Sequence, residues 1–170
     1  MVATIGENMS FRRVERLAVN DGVVATYMHN PTKGNMGRIG CAVALESSGD
    51  KGKLAEVGKQ IAMHIAAQSP VALTIEDVPQ EMVDREKQVL VDQAAESGKP
   101  AAAIEKMVEG RLRKFYEEIV LMEQPFVMDG KVKIKDLLKS TGKEIGADVI
   151  IKSYTRMELG DGLEKRDWTQ

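Results

Sequence analysis

The residues that could attack a substrate, transfer a proton or bind a metal are few and scattered. The chain has one cysteine, Cys41, and two histidines, His29 and His64. A zinc site needs several Cys and His ligands at short, regular spacings, and these three residues cannot supply such a set. No nucleophile lies next to a base in a pattern that covalent catalysis would use. The sequence therefore predicts neither a catalytic group nor a metal site.

Two glycine-containing stretches invite comparison with phosphate-binding loops. Gly34, Gly37 and Gly40 are spaced three residues apart, but they precede a predicted strand, whereas a phosphate loop follows a strand and opens a helix. Lys143 follows a glycine, but a glutamate comes next where a P-loop has a hydroxyl residue. We therefore predict no nucleotide or other cofactor bound to this chain.

Composition excludes several classes of protein. The formal net charge is -2, from 24 basic and 26 acidic residues, so the chain lacks the basic surface that binding to nucleic acid requires. Aromatic residues make up only 4%, which leaves few platforms for stacking bases. The longest uncharged stretch, residues 60–75, is too short and too polar to span a membrane. Together with the absence of a signal-peptide pattern, this predicts a cytoplasmic protein that binds neither nucleic acid nor membrane.

Hydrophobic periodicity predicts a mixed α+β fold with a small antiparallel sheet packed against helices. Two strands, residues 23–28 and 38–45, flank a turn-rich segment at 29–37 and form a predicted hairpin with a long loop. A helix with a broad apolar stripe follows from Leu54 to about Pro70, and His64 lies on that stripe. A short helix near 134–139 and a strand at 149–158 complete the body.

Residues 80–123 predict a protruding helical hairpin. One polar helix runs from Gln80 to Ser97, the Gly-Lys-Pro sequence at 98–100 stops it, and a second helix runs from Ala101 to Glu123. The second helix has apolar residues at steps of 4, 4, 3, 4 and 3, which is typical of a coiled coil. The short connection predicts that the two helices are antiparallel neighbours. This seam comprises Ile104, Val108, Leu112, Phe115, Ile119 and Met122. Such a hairpin would serve partner contact or self-association.

The start and the end of the chain match at an offset of 140 residues, as in an internal repeat. The matching residues are Ile5-Gly6, Arg16 and Asp21-Gly22 with Ile145-Gly146, Arg156 and Asp161-Gly162. We interpret the two segments as equivalent strands of a duplicated unit. The predicted organisation is an orphan strand of a missing first core half at 1–20, an α+β core half at 21–75 and 129–165, and the hairpin at 76–128.

Five segments resemble bacterial elongation factor Ts, in that family's order and over most of the chain. They are QIAMHIAA at 60–67, EDVP at 76–79, SGKP at 97–100, EKMVEGR at 105–111 and EQPFV at 123–127. The resemblance implies a core of two related α+β halves, of which the second carries a helical hairpin.

Guanine-nucleotide exchange on the GTPase elongation factor Tu is the function that the resemblance implies. Such a factor stabilises a conformation of the GTPase whose magnesium and phosphate contacts are disturbed, so GDP leaves without any bond chemistry. In the family the second core half packs against the third domain of the GTPase. The matching positions are Ile39 and Gly40 in the second strand, His64 in the following helix and Ile134 near the last helix. Gly40 would allow another backbone to approach closely.

Two parts of the family pattern are not found in this sequence. One is the amino-terminal helical module, and the other is a Thr-Asp-Phe-Val motif whose phenylalanine wedges into the GTPase, in place of which residues 45–49 read LESSG. Burying one Phe is worth roughly 1.5–3 kcal/mol, so we also consider a fragment that binds its partner with little exchange activity. A second alternative is a self-association module that pairs through the hairpin. A small-molecule enzyme has no supporting motif.

Overall fold

A three-stranded antiparallel sheet forms the centre of the molecule. The computed structural model describes residues 4, 6, 11–34, 36–95 and 100–162. The strands are β1 (Gly22–Lys33), β2 (Met36–Glu46) and β3 (Ile150–Glu158), in the order β1-β2-β3. With four helices in the described residues, this confirms the predicted α+β class and the strand predicted near residue 150.

The hairpin between β1 and β2 is tighter than predicted. Instead of a long loop at 29–37, the strands stay paired through His29 with Ile39, Pro31 with Gly37, and Lys33 with Met36. Gly34 has a φ of 60°, the left-handed conformation that a tight hairpin turn needs. The prediction of a long loop at 29–37 is therefore wrong, because turn-forming residues there lie in paired strands. Pro31 is tolerated within a strand because β1 is at the sheet edge and its pairing is irregular there.

Helix α1 (Lys51–Gln68) covers one face of the sheet. Asp50 caps its start by accepting a hydrogen bond from the Lys53 backbone N–H at 2.7 Å. A Cβ atom added at Gly58 would lie 2.7 Å from the Ala25 Cβ, so only glycine lets the helix approach the sheet this closely. The resulting core contains fully buried side chains from the sheet and the helix: Val43, Leu45, Leu54, Ile61 and Ile65.

Two further helices, α2 (Gln80–Ala95) and α3 (Ala101–Ile119), pack against each other. Val83 near the start of α2 packs in a cluster with residues at the end of α3, and Arg111 donates to the Gln93 Oε1 at 2.7 Å farther along. These contacts make the pair antiparallel. A coiled-coil geometry stays a prediction. Of the predicted stop at 98–100, only Pro100 is described, and it precedes α3 in an extended conformation.

Helix α3 is shorter than the predicted helix to Glu123. Val120 takes an extended conformation and pairs with Ala72, and the Leu121 N–H donates to the Ala72 carbonyl at 2.9 Å. Residues Leu121–Glu123 then form a 3-10 turn. Tertiary pairing with the segment after α1 thus overrides the helical periodicity.

The last helix, α4 (Ile134–Ile145), extends six residues beyond its predicted end at Lys139 and stops at Gly146, whose φ is 70°.

The strand predicted for residues 1–20 is wrong over residues 11–19, which form no regular secondary structure. Side chains hold this segment instead, because Arg12 and Arg13 both bond to Asp161 after β3. A lone strand needs a hydrogen-bonded neighbour, and these contacts provide none. Residues 1–10, except 4 and 6, lie outside the description.

Across the described parts of the chain, no helix combines the length and the apolar character needed to cross a membrane.

Candidate partner-binding site

The four residues predicted to contact a partner fall into two pairs. Ile39 and Gly40 lie in the central strand β2, near the hairpin turn. Successive residues of a strand point to opposite faces, so Ile39 faces the α1 side, where it is partly buried against the core, and Gly40 faces the other side. These two are the predicted site residues with surface of their own.

Gly40 offers room on its face of the sheet. A Cβ atom added there would lie 3.5 Å from the Met28 Sδ and 3.6 Å from its Cε, which is ordinary van der Waals contact. The fold therefore does not itself require a glycine at this position. At Gly37, by contrast, an added Cβ would lie 2.8 Å from the His29 carbonyl oxygen, so that glycine is required for the hairpin. The lack of a side chain at Gly40 fits close approach by another backbone.

His64 is fully buried in α1, and both of its ring nitrogens have partners. Its Nε2 lies 2.9 Å from the Gln124 Oε1, and its Nδ1 lies 3.2 Å from the Val127 backbone nitrogen. Because the Val127 N–H must donate, Nδ1 accepts, and the neutral tautomer with its proton on Nε2 satisfies both contacts. The imidazole therefore joins α1 to the segment that follows α3.

The environment of His64 disfavours its charged form. Burial lowers the pKa of His64 below 6.5, and the hydrogen bond with Gln124 opposes this only in part. A proton on Nδ1 would also face the Val127 N–H, donor against donor. The side chain thus acts as a neutral structural link in the described chain, and the prediction that it contacts a partner stays a prediction.

Ile134 is also fully buried, at the start of α4, where it packs in the main core. Its backbone N–H donates to the Gln124 carbonyl oxygen at 3.1 Å. Gln124 therefore contacts both His64, through its side chain, and Ile134, through its backbone. Its amide nitrogen also donates to the Glu118 carbonyl at the end of α3, at 2.7 Å.

Gln124 is the residue that sequence reasoning missed. It is only 2% exposed, although glutamine is rarely buried. The available signal was a polar residue between the apolar positions Val120–Leu121 and Phe126, in a segment already singled out by the resemblance.

A second link joins α3 to α4 through charged side chains. The Lys133 Nζ lies 2.9 Å from Glu117 in α3 and 3.0 Å from Glu123, and the Lys135 Nζ lies 2.6 Å from Glu123. Burial alone would raise the pKa of Glu123, but the hydrogen bonds and charges of Lys135 and Lys133 outweigh burial and lower it. We call these four residues the charged link.

The described residues support neither a reactive thiol nor a metal centre. Cys41 is buried, and burial raises the pKa of its thiol to about 11 against the opposing charge of Arg156, so it is not a thiolate nucleophile at neutral pH. Within the described ranges, no three His, Cys, Asp or Glu side chains are close enough to hold a metal ion. The arrangement can provide a surface for protein binding at Ile39 and Gly40, on a core that is held together by the Gln124 contacts and the charged link.

Comparison with known proteins points to one family. The family model described as elongation factor TS matches residues 1–161. Similar proteins named elongation factor Ts include that of Rhodospirillum centenum, 56% identical over 165 residues, and that of Caulobacter vibrioides, 52% identical over 166 residues. These alignments cover 97% and 98% of this chain but 54% and 53% of the relatives. The chain thus spans about half the length of the curated relatives it matches.

Proposed function

Because the chain belongs to the elongation factor Ts family, we propose that it binds the GTPase elongation factor Tu and promotes the release of GDP from it. The family match over residues 1–161 is the observation that carries this proposal. The described residues fit it, because they combine a well-packed core with a central strand whose hairpin end is partly exposed. The chain would act by protein–protein binding, as an exchange factor and not as an enzyme that makes or breaks bonds.

The contact surface that we propose is centred on the start of β2, near the hairpin turn. Ile39 and Gly40 would touch the partner. His64 and Ile134 would contribute indirectly, from the core, by holding α1 and α4 against the segment that contains Gln124. This division follows from exposure, since the first two residues are partly exposed and the last two are fully buried. A partner contact by His64 or Ile134 would require the core to open, which would cost the burial of both side chains.

Exchange by binding is a coupling between two ligands of the GTPase. A factor that weakens nucleotide binding must itself be bound more weakly when nucleotide is present. An acceleration of about 10⁴-fold requires a difference in binding free energy of roughly 5–6 kcal/mol between the two conformations of the GTPase. An extended protein interface can supply that difference without a catalytic side chain.

Release of a fluorescent GDP analogue from elongation factor Tu tests the proposal. With this chain in excess over the GTPase, release should be faster than without it, and added GDP should weaken the association measured by calorimetry. Association without faster release would support the narrower alternative of a partner-binding fragment. No detectable association would contradict the proposal.

A further inference from the structure

A groove of about 810 Å³ runs along α4, on a part of the surface that the proposed function does not use. Its floor includes apolar side chains, and three lysines of α4 line it. The residues that matter are Met122, Leu138 and Val149 on the floor, and Lys135, Lys139 and Lys143 along the helix. Neither Ile39 nor Gly40 lines it. We call it the lysine groove.

The lysine groove is built into the fold. Leu138 and Val149 are only 3% and 9% exposed, so both are anchored in the core. The opposite wall is the turn after α4, where the Ala147 N–H donates to the Gly142 carbonyl at 3.1 Å. A Cβ atom added at Gly142 would lie 3.0 Å from the Ala147 carbonyl oxygen, so the wall folds back tightly against the helix. The shape therefore does not depend on a ligand.

Positive charge along the lysine groove is only partly neutralised. Lys135 is held by Glu123 in the charged link. The Lys139 side chain is 74% exposed and lies 3.9 Å from Asp136, a contact too exposed to hold it firmly. Lys143 forms no ion pair with any residue that the structure describes. Asp148 is the one carboxylate among the lining residues. Among the lining residues themselves, three lysines and one carboxylate border the apolar floor, so the lining carries more cations than anions.

We propose that the lysine groove binds an acidic amphipathic helical segment of another protein. The three lysines recur every fourth residue of α4, so they advance about 6 Å each time along one side of the helix. Glutamates repeated every fourth residue of a second helix advance by the same distance and can face the lysines one by one. Apolar side chains adjacent to these glutamates would enter the groove between α4 and the turn at 146–149 and pack on its apolar floor.

The floor favours a peptide over a nucleic acid. A nucleic acid would use its phosphates on the lysines, but the apolar floor offers bases no aromatic ring for stacking, because none of the lining residues is aromatic. A peptide uses both features at once, since carboxylates pair with the lysines and leucine side chains lose their contact with water.

Fluorescence anisotropy with a labelled synthetic peptide tests the proposal on the whole 170-residue chain. The probe peptide carries glutamate at every fourth position and leucine at the position after each glutamate. A control peptide replaces each glutamate by glutamine. The acidic peptide should bind measurably more tightly, and its affinity should fall as salt is raised, because salt screens exposed charges.

Charge reversal then locates the binding site. The double variant Lys139→Glu/Lys143→Glu should bind the acidic peptide on the order of tenfold more weakly, since each exposed pair contributes up to about a factor of five. The matched control, Lys59→Glu/Lys106→Glu, changes two exposed lysines of α1 and α3 outside the groove and should bind it nearly as the unchanged chain does. If the reversed charges disturb α4 in circular dichroism, the milder Lys139→Gln/Lys143→Gln variant should still show a loss of several-fold.

Three results would overturn the proposal. One is equal binding of the acidic and the glutamine peptides, and another is equal weakening by the groove variant and its control. The third is tighter binding of a single-stranded oligonucleotide of matching length with the same dependence on Lys139 and Lys143, which would make a nucleic acid the ligand.

Discussion

The sheet with α1 and the pair of helices α2 and α3 are stabilised in different ways. In the body, residues from β2 and α1 meet face to face, and five large side chains there are fully buried. In the helical pair, α2 buries three residues, Val83, Leu90 and Ala94, whereas α3 buries none in the described structure. Substitutions in the interior of the body should therefore be costly in stability. The helical pair keeps partly exposed apolar side chains that another molecule could cover.

The two regions are coupled where α3 returns to the body. Gln124 connects His64 in α1 with the end of α3, and the charged link connects α3 with α4. These polar contacts hold the base of the helical pair against the body.

The largest effect on stability is expected from shortening one isoleucine in each region to alanine. Ile61 is fully buried in α1, so Ile61→Ala should lower the free energy of unfolding by about 2–5 kcal/mol. Ile104 is partly exposed in α3, and Ile104→Ala should cost only about 1 kcal/mol because less apolar surface is lost. Urea denaturation followed by circular dichroism measures both. Equal costs would show that the pair is as tightly packed as the body.

Protonation of His64 should weaken the junction between the two regions. Its pKa is lowered in the folded state, so below about pH 6.5 the unfolded chain binds more protons, and stability falls as the pH falls. The free energy of unfolding should decrease between about pH 7 and about pH 5.5, with a slope of at most about 1.4 kcal/mol per pH unit.

Two glutamine variants isolate this effect. His64→Gln should remove most of the slope, whatever it does to the stability at neutral pH. His29→Gln changes an exposed histidine of β1 and should keep the slope. A slope that survives His64→Gln would show that other groups cause the pH dependence.

The charged link should contribute less. Lys133 is 28% exposed and contacts two carboxylates, so Lys133→Met should cost about 0.5–1 kcal/mol at neutral pH. The pKa of Glu123 is lowered in the folded state, so this contribution exists above about pH 4.5 and is lost as the pH falls through the folded pKa. Lys139→Met, at an exposed pair, is the control and should cost under about 0.5 kcal/mol. A cost for Lys133→Met that is unchanged at low pH would mean that packing, and not charge, explains it.

The smallest effect on stability is expected from a change on the exposed surface of the helical pair. If the pair self-associates, such a change should alter the mass of the particle in solution. Val89 of α2 is 42% exposed, so Val89→Asp should leave the fold intact but reduce any oligomer seen by sedimentation velocity. Val71→Asp changes a valine of the body that is 54% exposed and should not alter the mass. If both variants sediment like the unchanged chain, the helical pair does not associate.

The sequence predicted those elements whose signal is local. The α1 stripe and β3 were found because each has a clear period, and the two helices of the pair were separated by a Gly-Lys-Pro stop. The division into a core half and a hairpin at 76–128 stays a prediction, based on the narrow apolar seam of the second region. The family itself was identified from short motifs, which the family match over residues 1–161 confirms.

What the sequence could not show depends on contacts between distant segments. The end of α3 at Ile119 follows from pairing of Val120 with Ala72, which no helical period reveals. The paired strands at 29–37 looked like a loop because their residues are turn formers. The buried role of Gln124 depends on His64, sixty residues away in the chain. Exposure likewise could not be predicted, so the site residues could not be divided into surface and support.

Calorimetric titration of elongation factor Tu with the Gly40→Val variant tests the central claim most directly. The added Cβ atom would lie 3.5 Å from the Met28 Sδ, at the flexible end of a side chain that can move away from the valine methyl groups. The variant should therefore unfold at a denaturant concentration close to that of the unchanged chain. If the start of β2 contacts the GTPase, the added side chain should weaken binding by about tenfold or more, since overpacking a close contact costs about 1–3 kcal/mol. A folded Gly40→Val variant that binds elongation factor Tu as tightly as the unchanged chain would contradict the account.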